Sequence, residues 1–154
     1  MLTIRQYQLT DRADVRTLHD LALESVGAHM GRGPWDADLD RIEKEYLENG
    51  GEFLIGNLNE KIVAMGALKK TDLNRVEIKR MRVHPDFHRL GFGQLILSAL
   101  ENRAKELGYT QLHLDTTVQQ VAAQGLYEKN GYLRSGSKQI GKFSVIVYEK
   151  DMND

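Results

Sequence analysis

The sequence has no cysteine, so it can form neither a disulfide nor a thiolate metal site and offers no cysteine nucleophile. An excess of one charge is also lacking, because acidic and basic residues nearly cancel to a formal net charge of -1. A general electrostatic surface for nucleic acid or an anionic membrane is therefore not expected. No apolar run reaches the ~18 residues of a membrane-spanning helix, and residues 1–6 lack the apolar core of a signal peptide. We expect a cytoplasmic protein that binds neither nucleic acid nor membrane.

Length and composition are ordinary for one globular domain. The 154 residues are 41% hydrophobic and 28% charged, and a chain of this size buries roughly two-thirds of its unfolded surface. No repeat, linker or low-complexity segment divides the chain. We predict a single domain over residues 1–154.

Hydrophobic periodicity and turn residues predict seven strands and four helices. The strands are predicted over residues 2–7, 52–56, 61–69, 75–83, 111–115, 132–138 and 142–150. The helices are predicted to start at residues 10–11, 36 or 38, 93 and 117, and to end at residues 27, 49–51, 107 and 130–131. The start at Thr117 is indicated by a capping box that it forms with Gln120. Because the strand–helix–strand unit over residues 75–115 needs a crossover, its two strands run parallel in an otherwise antiparallel sheet.

The most informative segment, residues 83–94, reads Val-His-Pro-Asp-Phe-His-Arg-Leu-Gly-Phe-Gly-Gln. A strand end is followed by a turn marked by proline and by two glycines that open the strongest predicted helix. Glycine lets backbone N–H groups turn toward an anion, and the helix adds the positive end of its dipole. This is the chemistry of a diphosphate site, although a plain strand-to-helix turn also favours glycine. The groups that would hold a diphosphate are the amides of Leu90, Gly91, Gly93 and Gln94 and the side chain of Arg89.

This segment and the order of the elements resemble the GNAT superfamily of N-acetyltransferases, which use acetyl-CoA. The resemblance covers nearly the whole chain and is densest over residues 77–132. The family's phosphate loop reads Gln or Arg, two residues, Gly, one residue, then Gly or Ala. Here His88 takes the first position, and a neutral histidine supplies one donor where arginine supplies a charge that Arg89 could restore. The resemblance implies a mixed α/β fold, with a mostly antiparallel sheet of about seven strands flanked by about four helices, and binding of acetyl-CoA.

The resemblance also implies where the rest of acetyl-CoA binds. In the family the main chain of the fourth strand pairs with the pantetheine arm, which here corresponds to Met81 and Val83. A backbone N–H near Met81 or Arg82 would polarise the thioester carbonyl. Gln120 stands seven residues before the family's tyrosine, where the family often has asparagine, and its amide could contact pantetheine.

Two residues match catalytic positions of the family. Tyr127 is the candidate acid that protonates the leaving thiolate, because a phenol with a pKa of about 10 stays protonated at pH 7. Glu77 is the candidate base that deprotonates the ammonium, directly or through a water. The structural alternatives are a boundary aromatic packed beside Leu126 and an exposed strand glutamate paired with a lysine or arginine.

The predicted loop over residues 27–35 is the candidate wall of the acceptor site, because the family commonly uses this region to shape substrate choice. A surface loop whose tryptophan covers the edge of the core is the alternative. Asp36, Asp38 and Asp40 could attract a cationic amine or could serve a helix start through the dipole. The candidate substrate residues of the loop are His29, Arg32 and Trp35.

Neither a metal site nor a covalent nucleophile is predicted. His84 and His88 lie four apart in a turn rather than on a helix, without an H-E-x-x-H motif, and no G-x-S-x-G motif supports a serine nucleophile. We therefore predict direct acetyl transfer to a primary amine, of a small molecule or a peptide, in a ternary complex with acetyl-CoA. The alternative is a non-catalytic acyl-CoA-binding module or sensor subunit with the same fold. A homodimer is compatible with such a domain, but no residue specifies it.

Overall fold

Seven strands form one sheet in the computed structural model, which describes residues 1–29 and 33–152. The strands are β1 Thr3–Gln6, β2 Glu52–Leu58, β3 Lys61–Lys70, β4 Arg75–Val83, β5 Gln111–Thr117, β6 Leu133–Ile140 and β7 Phe143–Asp151. Across the sheet they are ordered β1-β2-β3-β4-β5-β7-β6, and every neighbouring pair is antiparallel except β4 and β5. The prediction of a mostly antiparallel sheet with one parallel pair is confirmed.

The described residues form α-helices over α1 Arg12–Ser25, α2 Phe92–Glu106 and α3 Val121–Lys129. The predicted second helix is wrong as a continuous α-helix. Pro34–Asp40 is a 3-10 helix and Glu43–Leu47 is a π-helical turn, separated by Arg41 with a non-helical φ of -141°. The reason is tertiary, because the side chain of Asp38 is buried in an ion pair with Arg80. None of the described helices is both long and apolar enough to cross a lipid bilayer.

Helix α3 begins later than the capping-box pattern predicts. Thr117 is the last residue of β5, and α3 starts at Val121 with Gln120 as its N-cap. The Oε1 atom of Gln120 still accepts a hydrogen bond from the Thr117 N–H at 3.2 Å. The hydrogen bond between Thr117 and Gln120 therefore stabilises the turn between β5 and α3 instead of capping the first turn of the helix.

The hydrophobic core lies on both faces of the sheet. On one face α2 supplies Ile96 and Leu100, both fully buried, in a cluster that also includes residues of β3, β4 and β5. On the other face α1 and the 34–47 segment pack against β2 and β3, and the rings of Tyr46 and Phe53 meet edge to face at 5.4 Å. Both layers hold the centre of the sheet in place, so the strands there can diverge without losing the fold.

Strands β4 and β5 separate after three paired positions, the last of which joins Glu77 to His113. Beyond it, β4 stays paired with β3 and β5 stays paired with β7. A gap therefore opens between residues 78–83 of β4 and residues 114–117 of β5.

A β-bulge distorts β4 beside this gap. The register against β3 shifts between Met65 and Ala67, and Arg80 takes a left-handed φ of 59°. Gly66 lies between the shifted positions, and a Cβ there would come within 2.7 Å of the Met81 sulfur and of an Ile96 methyl. Glycine at this position lets β4 and α2 approach β3 closely enough to keep the bulge.

Candidate active site

Two cavities occupy the gap between β4 and β5 and its mouth. The first, here the loop cavity, has a volume of about 490 Å³ and is bounded by residues 87–89 and 91–94 and by α3. The second, here the strand cavity, has a volume of about 230 Å³, lies between β4 and β5, and is also lined by Ala28 and Trp35. Four residues line both cavities and are here called the junction: Met81, Arg82, Gln120 and Tyr127.

The start of α2 lies at the loop cavity, which is lined by residues 91–94. Arg89 and Gly91 have left-handed φ angles of 66° and 82°, a backbone form in which successive amides can converge on an anion. The N–H of Leu95 donates to the Gly91 carbonyl at 3.1 Å, so the N–H groups of residues 92–94 precede the first intrahelical bond. No side chain of the described residues caps α2, and its first turn has no acidic residue. This helix start is suited to bind an external anion.

Two side chains of the same segment fasten it to the rest of the fold. The Nε2 atom of His88 donates to the carbonyl of the last β4 residue at 3.1 Å. Gln94 and Asn130 exchange amide hydrogen bonds at 3.0 and 2.8 Å, which join α2 to α3. Leu90 is 60% exposed and its side chain does not line the cavity, whereas Arg89 does. Arg89 is therefore the side chain of this loop that brings positive charge to the cavity wall.

Met81 and Val83 line the loop cavity along the β4 edge that β5 leaves unpaired. The Met81 carbonyl accepts from Nη1 of Arg82 at 2.8 Å, and the Val83 carbonyl accepts from His88. Each carbonyl has a second lone pair. The open edge therefore offers main-chain groups to an extended ligand.

Tyr127 lies at the junction and is 4% exposed. Its ring packs edge to face against Tyr132 at 5.6 Å and lies 6.1 Å from Tyr148. The hydroxyls of Tyr132 and Tyr148 donate to glutamates, whereas that of Tyr127 has no hydrogen-bond partner among the described residues. Burial raises the pKa of Tyr127, and the charge of Arg82 partly offsets the increase. The phenol is protonated at neutral pH and can donate to a ligand.

Glu77 lines the strand cavity at the point where β4 and β5 part. Its register partner on β3 is Lys69, but the Nζ atom of Lys69 lies 3.6 Å from a carboxylate oxygen of Glu45. In the described part of the chain Glu77 forms no ion pair. The structure therefore does not show the alternative, in which a lysine or arginine on a neighbouring strand pairs with Glu77. The Glu77 carboxylate remains available to a ligand in the strand cavity.

The three residues predicted for the acceptor wall have different places. Trp35 lines the strand cavity and is 46% exposed. His29 does not line that cavity, and its Nε2 atom lies 2.9 Å from a carboxylate oxygen of Asp20 on α1. Arg32 lies outside the described residues. Of the two residues of this group that the structure describes, Trp35 lines the strand cavity and His29 does not.

A buried ionic network, which the sequence did not predict, closes the strand cavity on the α1 side. The guanidinium of Arg80 donates to Asp38 at 2.5 and 2.9 Å and to Asp36 at 3.2 Å, and the Tyr46 hydroxyl also donates to Asp38. Burial opposes ionisation of Asp38, but Arg80 outweighs burial and lowers the pKa of Asp38 to about 2. Both carboxylates are already neutralised within the fold, which leaves them little charge to attract an amine.

The sequence did not predict that the Arg82 side chain lines the cavities. Strict alternation along β4 places this side chain on the face of the sheet opposite Lys79. The bulge changes this, since Lys79 and Arg82 pair in register with Ala67 and Met65, which belong to the same core cluster. Arg82 thereby reaches the cavities, and its Nε donates to Nδ1 of His19 at 3.3 Å. Burial and the neighbouring Arg80 charge lower the pKa of Arg82 to about 10. It remains a cation at neutral pH.

Gln120 is only partly available to a ligand. Its Oε1 atom accepts hydrogen bonds from Thr116 and Thr117 at 3.1 to 3.2 Å, so the turn before α3 uses the amide oxygen. The amide nitrogen has no partner among the described residues. The loop cavity is also lined by residues that the pattern of the phosphate loop alone could not indicate, namely Phe87, Leu126 and Lys129.

One histidine–carboxylate cluster has the spacing of metal ligands. Donor atoms of His19, Asp20 and Asp36 lie within 4.8 Å of one another. Because Nδ1 of His19 accepts from Arg82, the proton is on Nε2, which donates to Asp36 at 3.1 Å. Both ring nitrogens are used in hydrogen bonds, so the arrangement is that of a hydrogen-bonded histidine rather than of a metal ligand.

The splayed sheet, the N–H-lined helix start and the tyrosine at the junction define a protein that can bind an extended, phosphate-bearing ligand along an open strand edge. The family comparison agrees with this class. Residues 15–132 match the Acetyltransferase (GNAT) family, and the chain belongs to it.

Individual relatives share 21–30% sequence identity with this chain. Human N-acetyltransferase 8 is 30% identical over 121 residues, which cover 70% of this chain and 53% of that protein. An acetyltransferase of Yersinia pestis (strain Pestoides F) is 28% identical over 117 residues, covering 75% of this chain and 82% of that protein. The crystal structure of a GNAT-family acetyltransferase from Staphylococcus aureus Mu50 superposes with a TM-score of 0.89 at 21% identity, over 99% of this chain and 100% of that one. The chain spans about half the length of the human relative. The S. aureus structure has the same fold as this chain.

Proposed function

We propose that this protein transfers an acetyl group from acetyl-CoA to a primary amine. The observation that carries the proposal is the junction, where Met81, Arg82, Gln120 and Tyr127 line both cavities. One cavity can hold a phosphate-bearing acetyl donor while the other holds an acceptor, and their reactive ends can meet only at the junction. Membership of the acetyltransferase family supports the same reaction.

The residues of the loop cavity fit coenzyme A. The N–H groups of residues 92–94 and the guanidinium of Arg89 would hold the diphosphate, because a helix N-terminus and a guanidinium both favour anions. Met81 and Val83 would bind the pantetheine arm as an added strand. Gly91, at a φ of 82° that a side chain would strain, keeps the loop in this form. When bound, acetyl-CoA supplies the acetyl group as an activated thioester.

Three groups of the chain would carry the chemistry at the junction. A backbone N–H near Met81 or Arg82 would polarise the thioester carbonyl, a role whose loss typically costs ~3–4 kcal/mol. Glu77 lines the strand cavity but not the loop cavity, so it would take the proton of the ammonium through a water. Tyr127 would donate its proton to the leaving thiolate. The amine attacks directly in a ternary complex.

Release of the CoA thiol across a panel of amines tests the proposal. We expect the purified protein to release thiol from acetyl-CoA only when an amine is added, and mass spectrometry to find one acetylated amine for each thiol released. The matched controls are the same compounds with their amines already acetylated. Binding of acetyl-CoA by calorimetry without thiol release for any amine would contradict the proposal and identify a non-catalytic acyl-CoA-binding module.

The role of Glu77 gives a second prediction. The Glu77→Gln variant should lower kcat about tenfold at pH 7, because water can only partly replace a positioned base. The deficit should shrink as pH rises, since more of the amine is then already deprotonated in solution. Steady-state rates from about pH 7 to pH 9.5 measure this.

Glu149 provides a matched control for that variant. It lies opposite His113 on β7, as Glu77 does on β4, but it pairs with Arg75 at 3.0 Å and does not line the strand cavity. The Glu149→Gln variant should keep the wild-type rate at every pH. A Glu77→Gln variant with the same profile as Glu149→Gln would show that Glu77 is not the base.

A further inference from the structure

The ionisable side chains that line the strand cavity are partly paired within the fold. Asp36 lies 3.2 Å from Arg80, and Asp115 lies 2.8 Å from Lys138. Among the described residues, three charged side chains of the strand-cavity wall form no ion pair: Glu77, Lys79 and Arg82.

Arg82 is the unpaired cation that the fold holds in a fixed position. Its Nε donates to Nδ1 of His19 at 3.3 Å and its Nη1 to the Met81 carbonyl at 2.8 Å. His19 is itself fixed by Asp36, which lies 3.1 Å from its Nε2. The Nη2 atom of Arg82 has no hydrogen-bond partner among the described residues, and Arg82 lines both cavities. One side of the guanidinium is therefore anchored and the other is left to a ligand.

Among the described residues no carboxylate forms a direct ion pair with Arg82, because His19 lies between its guanidinium and Asp36. A partly buried guanidinium of this kind gains from a ligand that supplies a negative charge in direct contact. Coenzyme A does not supply it at this place, because its phosphates lie at the end remote from the thioester and are assigned above to the start of α2. The remaining ligand is the acceptor. A guanidinium binds carboxylates and phosphates by paired, charge-assisted hydrogen bonds, and the single charge of a carboxylate matches that of one guanidinium.

We infer that the acceptor carries a carboxylate on the carbon that bears its amine, as a free α-amino acid does, and that Arg82 binds this carboxylate. The inference rests on the proposed function. Arg82 lies at the junction with Tyr127, where the amine must meet the thioester, so an anion held by Arg82 is close to that amine. Lys79 adds a second positive charge to the same cavity, and Glu77 leaves a place for the proton of the ammonium.

Matched acceptors test this on the unmodified protein. Each free amino acid of a panel is compared with its carboxamide and with the amine that lacks the carboxyl group, so that only the negative charge changes within a set. We expect kcat/KM for at least one amino acid to exceed that of its carboxamide by about 10²-fold, because a site built to pair with a group rejects analogues without it.

Variants of Arg82 assign the preference to this side chain. Arg82→Gln should lower kcat/KM for the preferred amino acid by about 10²-fold through KM and leave its carboxamide within about threefold. Arg82→Lys should retain part of the preference. Arg41→Gln is the control, because Arg41 is exposed and pairs with Glu45 outside both cavities. Thermal unfolding checks that each variant is folded.

The possible outcomes separate the inference from the proposed function. If amines are acetylated but amino acids and carboxamides react equally well, or peptides with blocked carboxylates are preferred, the inference is overturned and the proposed function stands. An equal loss for both acceptors in a folded Arg82→Gln variant also overturns it, since a merely structural role would act on both. If no amine releases thiol, the proposed function fails and the inference fails with it.

Discussion

Replacement of Tyr127 by phenylalanine is expected to lower kcat by about 10²- to 10³-fold, the usual contribution of a positioned acid. Phenylalanine keeps the ring that packs on Tyr132 and removes only a hydroxyl that has no hydrogen-bond partner among the described residues. Binding of acetyl-CoA should therefore change little. The loss should appear in kcat and in kcat/KM alike, as it does when an interaction made only in the transition state is removed.

Tyr148→Phe is the matched control for that variant. Its ring lies 6.1 Å from that of Tyr127, but its hydroxyl donates to Glu128 and it lines neither cavity. We expect wild-type turnover from this variant, measured as thiol release, and unchanged CoA affinity by calorimetry from both variants. Turnover by Tyr127→Phe equal to that of Tyr148→Phe would exclude Tyr127 as the acid. Because burial raises the pKa of Tyr127, loss of its proton should not reduce the wild-type rate between about pH 7 and pH 9.

Sequence reasoning identified the parts of the fold that depend on chain order and local pattern. The parallel pairing of β4 with β5 follows from the crossover that any strand–helix–strand unit needs, and the structure shows it. The two glycines of the loop also have a local signal, and Gly91 takes the left-handed φ that glycine favours. Tyr127 was found through family resemblance rather than through periodicity, and its catalytic role stays a prediction.

The sequence did not reveal the elements that depend on tertiary contacts. A left-handed Arg80 is uncommon for a residue with a side chain, and no local pattern marks it. It is held by carboxylates more than 40 positions away in sequence. The bulge then brings Arg82 to the face that alternation assigns to Lys79. The prediction of a continuous second helix was wrong because of a tertiary contact as well. The ion pair of Asp38 with Arg80 outweighs the helical pattern of the surrounding residues.

That ion pair leads to the largest expected change in stability. The Asp38→Asn variant removes the negative charge next to Arg80, whose side chain is 9% exposed, and leaves a buried cation short of its partner. Breaking one side of a buried pair typically costs ~3–5 kcal/mol. The free energy of unfolding, measured by urea denaturation at pH 7, should fall by about that amount.

Asp40 is the matched control for Asp38, because it belongs to the same 3-10 segment but has a side chain that is 56% exposed and lies 3.2 Å from Arg16. Asp40→Asn should cost less than about 1 kcal/mol of unfolding free energy, as loss of an exposed ion pair does.

The stabilities of the two variants should also depend differently on pH. Arg80 lowers the pKa of Asp38 from 3.8 to about 2, so the stability from its ionisation is complete above about pH 4 and is lost as pH falls toward 2. This contribution, roughly 2 kcal/mol, should be absent from Asp38→Asn and kept by Asp40→Asn. Equal stabilities of the two variants at pH 7 and at about pH 3 would show that Arg80 does not depend on Asp38.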